Sequence, residues 1–159
     1  EVMGIGHTYQ EALYKAVVAA HLTVPSHGNV LITVSDRDKP ETAELARGFV
    51  NLGYRLICTS GTGSYFQNLG IPVEIIKKIH EKGENCENYL KLGKVDMVLN
   101  TISYGSQIEQ EGYDLRRIAV ELAIPCITSL DTAKEVLRVM ASTGDGYHVE
   151  AIQDYVKEN

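Results

Sequence analysis

Apolar residues fall along the chain in short, nearly unbroken runs, each followed by a polar turn and then a stretch with helical spacing. The runs read "NVLITVS", "YRLICTS", "VDMVLNT" and "IPCITS", with the shorter "IPVEII" between the second and third. Strands that are apolar on both faces belong to a parallel sheet covered by helices on each side. Three of the intervening helices stop with the same local grammar: "NLG" at Gly53, "NLG" at Gly70 and "KLG" at Gly93. Glycine just past a helix accepts the left-handed backbone that closes it, and a strand follows at once. The pattern predicts an α/β, three-layer domain with a five-stranded parallel sheet between helices, in a Rossmann-like or flavodoxin-like strand order.

Helix starts are also legible. "TYQEALYKAVVAAHL" sets Ala12, Leu13, Ala16, Val17 and Ala20 at helical spacing, with Thr8 as N-cap and Glu11 three residues on. "TVPSHG" reads as a linker. In "DKPE", Asp38 is positioned to cap a helix, Pro40 suits its first turn and Glu41 completes a box-like spacing. "SLDTAKEVLRVM" opens the last sheet-packing helix, capped by Ser129 or Asp131.

The chain's 159 residues suffice for one self-sufficient core. Its formal charge of −6 argues against nucleic acid or an anionic membrane as a whole-surface partner, so any anion site must be a local basic cluster. No apolar run approaches the roughly 20 residues of a membrane span, and no signal-peptide pattern opens the chain. The three cysteines, Cys58, Cys86 and Cys126, are odd in number and far apart, which fits reduced thiols in a cytoplasmic protein. The abrupt opening "EVMGIG" reads as a piece of something longer. His7, His21, His27 and His148 show no metal spacing, and the cysteines form no zinc pattern.

Parallel α/β sheets bind ligands beyond the carboxyl ends of their strands, so the chemistry is sought there. The first strand is followed by "SDRDK" with Asp36, Asp38 and Lys39. The second is followed by "TSGTG", offering the hydroxyls of Thr59, Ser60 and Thr62 and the N–H groups of a helix start around Gly61. Next come "KKIHEKG" with Lys77, Lys78 and His80, then "NTIS" from Asn100 to Ser103, and finally "TSLD" after the fifth strand. Each also has a plain structural reading: the glycine loop as a turn, the lysines as solvated charges, the aspartates as caps. A phosphomonoester carries nearly two charges, and a helix N-terminus contributes about half of one. Lysines are therefore needed, and Lys39 and Lys78 are the candidates, with Lys77 directed elsewhere because neighbours at a strand end alternate.

The ordered set "GNVLITVSDRDK", "CTSGTGSYFQNLGIPVEIIKKIHEKG", "GKVDMVLNT" and "CITSLDTA" resembles the methylglyoxal-synthase-like domain. Within that family it most resembles the carboxyl-terminal allosteric domain of the carbamoyl phosphate synthetase large subunit. The opening "EVMGIGHTYQEALYKA" looks like the end of that enzyme's second synthetase unit. On this resemblance, residues 1–27 end the preceding synthetase unit as a helix and linker, and residues 28–159 form an allosteric nucleotide-effector-binding domain. The resemblance implies UMP, IMP or phosphoribosyl pyrophosphate as effectors. Their phosphate would be held by Lys39, by Thr59, Gly61 and Thr62, by Lys78, and by Asn100 with Thr101; Ser60, Ser103 and Thr128 are secondary candidates. It implies no cofactor in this domain. The parent would use ATP with Mg or Mn, and K, and would pair with a glutaminase small subunit and its own synthetase domains. It would make carbamoyl phosphate from glutamine, bicarbonate and two ATP for pyrimidine or arginine biosynthesis. Ile102 replaces the second threonine of the family's "NTTS", and "CIT" replaces an ornithine-binding Tyr-Asp-Thr run, which points to a pyrimidine-pathway enzyme.

Two competing readings remain. Methylglyoxal synthase, of the same fold, needs a carboxylate base and an electrophile. Its base comes from a "GGDQ" turn that aligns with "EKGENCE", where Gly83 stands at or beside the base position. Its histidine after the fourth strand has no counterpart here, although Asp36 and Lys39 match its "HD-x-x-K" turn. The third reading is an interaction module without a ligand, which leaves the converging lysines and hydroxyls unexplained.

Overall fold

In the computed structural model, which describes residues 2–20, 27–102, 106–142 and 149–155 (backbone only at 106–108), the apolar runs become five strands. These are β1 (Asn29–Thr33), β2 (Arg55–Thr59), β3 (Glu74–Ile76), β4 (Met97–Asn100) and β5 (Cys126–Ile127). The helices are α1 (Tyr9–Ala19), α2 (Lys39–Asn51), α3 (Ser60–Asn68), α4 (Cys86–Lys91), α5 (Ser106–Glu121) and α6 (Leu130–Ser142), and a 3₁₀ turn at Asp36–Asp38 precedes α2. Every strand pairing is parallel, and the order across the sheet is β3-β2-β1-β4-β5. This is the Rossmann-type order; the flavodoxin-like alternative, with β3 beside β1, is not adopted, because β4 holds that place.

Alternation along the central strands divides the core. Val30, Ile32, Leu56, Cys58, Met97 and Leu99 face α2, α3 and α6, where Phe49, Phe66 and Val136 meet them. Leu31, Ile57 and Val98 face α4 and α5, where Leu90, Leu115 and Ile118 close the other layer. Side chains such as Phe49 and Phe66 are wholly buried, and each such burial contributes about 1.5–3 kcal/mol. Helix α1 buries no residue completely and packs on α6 outside these layers.

The predicted cap at Thr8 forms: its Oγ1 accepts the Glu11 N–H at 3.2 Å. Ser129, rather than Asp131, stands before α6, its Oγ accepting from Thr132 N at 3.5 Å. Asp38 does not cap α2 with its side chain. The 3₁₀ turn puts its backbone in the right-handed region, and its carboxylate turns back to Ser35 Oγ at 2.6 Å. Thr42 Oγ1 instead donates to the Asp38 carbonyl at 2.7 Å.

Gly53, Gly70 and Gly93 all take positive φ. After each, the next residue's N–H reaches back over the helix end, as in Ile71 N to Phe66 O at 3.0 Å. Helix α5 ends the same way, with Ile124 N donating to Ala119 O at 2.8 Å, but here Ala123 sits at φ 55°. The sequence "ELA" is thus a fourth helix stop with alanine in the glycine position. A Cβ at Gly70 would meet nothing within 4 Å, so its cost is purely conformational. Gly70→Ala is expected to lose about 1 kcal/mol and Ala123→Gly to gain about 0.5–1 kcal/mol in urea unfolding. Changes of the opposite sign would contradict this account of the helix ends.

Candidate functional site

The carboxyl ends of β1 and β4 lie side by side, and strand order reverses between them. A cleft of about 580 Å³ opens there, lined by Thr33, Ser35, Lys39, Thr59, Lys78, Asn100, Thr101 and Arg116 among others. Crossovers leaving the two strands run to opposite sides, so a crevice at this point follows from the topology.

Of the residues selected from the sequence, Lys39, Thr59, Gly61, Thr62, Lys78, Asn100 and Thr101 all line the cleft. Ser60, the exposed first residue of α3, and Thr128, exposed after β5, do not line it. Ser103 lies outside the described residues. Thr59 is the extended residue before α3, and its hydroxyl makes no cap hydrogen bond. The first N–H groups of that helix have no intrahelical acceptor and carry its positive end. Lys39 lies over this end: a Cβ added to Gly61 would stand 3.5 Å from its Nζ.

The cations of the cleft are mostly paired within the chain. Lys39 Nζ meets Asp36 Oδ1 at 2.6 Å, and Lys78 Nζ meets Glu111 Oε2 at 3.0 Å. Arg37 Nε lies 3.3 Å from Asp38 Oδ1. The Lys39 hydrogen bond holds the Asp36 carboxyl below its usual value. Each pair keeps one member open to water, Asp36, Lys78 and Arg37 respectively, and pairs so exposed contribute little to stability and can be exchanged for a stronger anion. Lys77 turns away from its neighbour, its Nζ donating to the Lys82 carbonyl at 2.8 Å. His80 pairs with Asp114 of α5 at 3.2 Å and does not line the cleft.

Beneath the mouth lies a polar layer, buried at Asn100 and Thr101 and half-buried at Thr33, Ser35 and Asp38. Thr101 Oγ1 accepts the Ser35 N–H at 3.1 Å. Burial opposes ionisation of Asp38, but hydrogen bonds from Ser35 and Thr101 and the nearby Arg37 charge outweigh it and lower its carboxyl's pKa. Asn100, only 3% exposed, gives Nδ2 to Thr33 O at 3.1 Å and to Thr33 Oγ1 at 3.2 Å. Its Oδ1 accepts from Arg116 Nη1 at 2.6 Å. The thiol of Cys86, which also borders the cleft, is pushed up to about 12 by burial and stays protonated at neutral pH. All three cysteines are free.

Arg116, Glu109, Glu111 and Gly112 also line the cleft and were not selected from the sequence. They stand on α5, away from the strand ends where a parallel sheet gathers its ligand contacts. Positions 109, 112 and 116 share one helical face, and that spacing was the available signal.

The MGS-like domain family matches residues 41–128. Among solved structures, a methylglyoxal synthase from Elizabethkingia anophelis superposes with a TM-score of 0.55 at 15% identity, covering 86% of this chain and 94% of that one. ForH superposes with a TM-score of 0.51 at 20% identity, covering 70% of this chain and 78% of that one. At such identities the likeness is one of fold.

Asp38 offers a test of this polar layer. Because its pKa is lower folded than unfolded, the stability it contributes is present above about pH 4 and is lost as pH falls through the lowered value. Asp38→Asn should cost about 1 kcal/mol at pH 7, and the gap to the parent should narrow on acidification. Urea unfolding at pH 7 and below pH 3 measures both, and a gap that stays constant would contradict the assignment.

Proposed function

The chain belongs to the MGS-like domain family, and from this we propose that it is the regulatory, nucleotide-effector-binding domain of a carbamoyl phosphate synthetase large chain. The observation that carries the reading is the convergence of Lys39, Lys78, the start of α3 and the Thr59 and Thr62 positions on one cleft at the strand-order reversal. A phosphomonoester there would meet backbone N–H groups, hydroxyls and two ammonium groups. It would take Lys39 from Asp36 and Lys78 from Glu111. UMP, IMP and phosphoribosyl pyrophosphate share this phosphate chemistry. The parent's chemistry, with ATP, Mg or Mn and K, a glutaminase partner and a cytoplasmic setting, belongs to the same proposal. Coupling to a synthetase unit through α1 would require differential affinity for two states of that enzyme, typically worth about 1–3 kcal/mol.

Methylglyoxal synthesis is the second reading, favoured by the shared fold and by the Asp36–Lys39 pair. Elimination of phosphate from dihydroxyacetone phosphate needs a base beside the acidic carbon. The stretch "EKGENCE" (81–87), which on the resemblance takes the place of that enzyme's base-bearing turn, brings Cys86 to the cleft and neither Gly83 nor Glu84. A Cβ at Gly83 would meet Lys77 Nζ at 3.2 Å. The carboxylates that do line the cleft include Asp36 and Glu111, which already pair with Lys39 and Lys78, and this favours binding without turnover.

Thermal unfolding with UMP, IMP, phosphoribosyl pyrophosphate, ornithine and dihydroxyacetone phosphate in turn separates these readings. A ligand at 100 times its Kd adds about 2.7 kcal/mol of stability. We expect stabilisation by at least one nucleotide or sugar phosphate and no methylglyoxal from the triose phosphate. Lys78→Ala should weaken every phosphorylated ligand about tenfold, and Lys77→Ala should leave them unchanged. No shift with any phosphorylated compound would reject the sensor, and steady methylglyoxal production would replace it with the enzyme.

A further inference from the structure

Among the described residues, Arg116 is the one cation of the cleft with no carboxylate partner: Arg37, Lys39 and Lys78 each lie against an acid. Its contact is neutral, the 2.6 Å hydrogen bond from Nη1 to Asn100 Oδ1. Both ends of the Asn100 amide are thereby occupied, since Nδ2 already serves Thr33. The orientation is chemically unique. Flipping the amide would set its NH₂ against a guanidinium that has only donors. A side chain this buried, bonded on both sides, has no donor left for a ligand.

Helix α5 makes room for this arrangement. Gly112 lies one turn before Arg116 inside the helix, where glycine is less favourable than alanine. A Cβ there would come within 3.0 Å of Arg116 Nη1 and 3.4 Å of Asn100 Oδ1. The space that a methyl group would fill is the space in which the guanidinium meets the amide. Arginine presents a planar fork of donors that matches phosphate oxygens two at a time, and one bond to Asn100 leaves most of that fork available.

We propose that Arg116 is a ligand-contacting residue of this site, binding a phosphate oxygen pair. Asn100 is then a positioning residue that holds the guanidinium rather than touching the anion. The inference deepens the phosphate-binding reading above and rests on it. It assigns the β4–α5 side of the cleft a charge-bearing role, opposite the Lys39 side at the start of α3. It also gives a reason for glycine at position 112.

Inorganic phosphate is the probe, titrated calorimetrically at several KCl concentrations, with unliganded thermal unfolding of each variant as a folding check. Arg116→Ala should weaken phosphate about tenfold or more and flatten the salt dependence, because one fewer charge meets the anion. Arg116→Lys should fall between, keeping the charge and losing the fork. Asn100→Ala should weaken binding as well, and the double variant should bind no worse than Arg116→Ala alone. Gly112→Ala should weaken phosphate without altering either polar partner, and it carries the test if Asn100→Ala does not fold. Arg116→Ala binding within twofold of the parent while Lys39→Ala is weakened would overturn the inference. So would Asn100 and Arg116 effects that multiply, since Asn100 would then touch the anion itself. If the parent chain binds no phosphate at all, the site reading falls and takes this inference with it.

Discussion

The right-handed crossover rule decides where this molecule can hold a ligand. Each strand–helix–strand connection must turn the same way, so a chain that lays strands first to one side of β1 and then to the other sends its helices to opposite faces. The chain does this when it returns from β3 to place β4 against β1. The loops leaving β1 and β4 therefore part, and no packing of the helices can close the gap between them. Thr33, Ser35, Asn100 and Thr101 stand at its floor because they end the two central strands. Every other group in the cleft reaches it from a neighbouring loop or from α5.

An apolar crevice of this kind would collect side chains and close; polar groups keep this one open. The floor is a hydrogen-bonded layer in which Asp38, Ser35, Thr101, Asn100 and Thr33 satisfy one another. Among the described residues no buried side-chain nitrogen or oxygen lacks a partner. Above that layer, cations and carboxylates alternate. Lys39 and Lys78 each sit in a pair with one member open to water, Asp36 in the first and Lys78 itself in the second, so their charge can be transferred to another anion at small cost. A fully buried pair would have resisted such exchange, because separating it would strand a charge in low dielectric. The site is thus rigid below and exchangeable above.

Much of the fold could be read from local pattern. Strand runs, three of the four glycine-type helix stops, and the Thr8 and Ser129 starts follow from rules that act within a few residues. Local pattern fails where another partner takes a side chain or an unexpected residue takes a special backbone conformation. Asp38 satisfies the local grammar of a helix cap, yet Ser35 and Thr101 take its carboxylate. Asn100 reads as a phosphate-holding amide at a strand end until Thr33 and Arg116, 67 and 16 residues away, are placed around it. Ala123 conceals a helix stop because left-handed backbone is normally announced by glycine.

Periodicity and turn chemistry alone determine that this chain forms a parallel α/β sheet and that lysines, hydroxyls and a helix start gather at its carboxyl edge. Both are local signals, and the edge is common to any arrangement of such strands. Tertiary structure alone decides that β4 rather than β3 lies beside β1, and hence which strand ends face one another. It also decides which cations are already paired and which one, Arg116, meets a neutral amide. Those outcomes depend on distances between residues far apart in the chain, and a one-dimensional pattern of residue types carries no such distance.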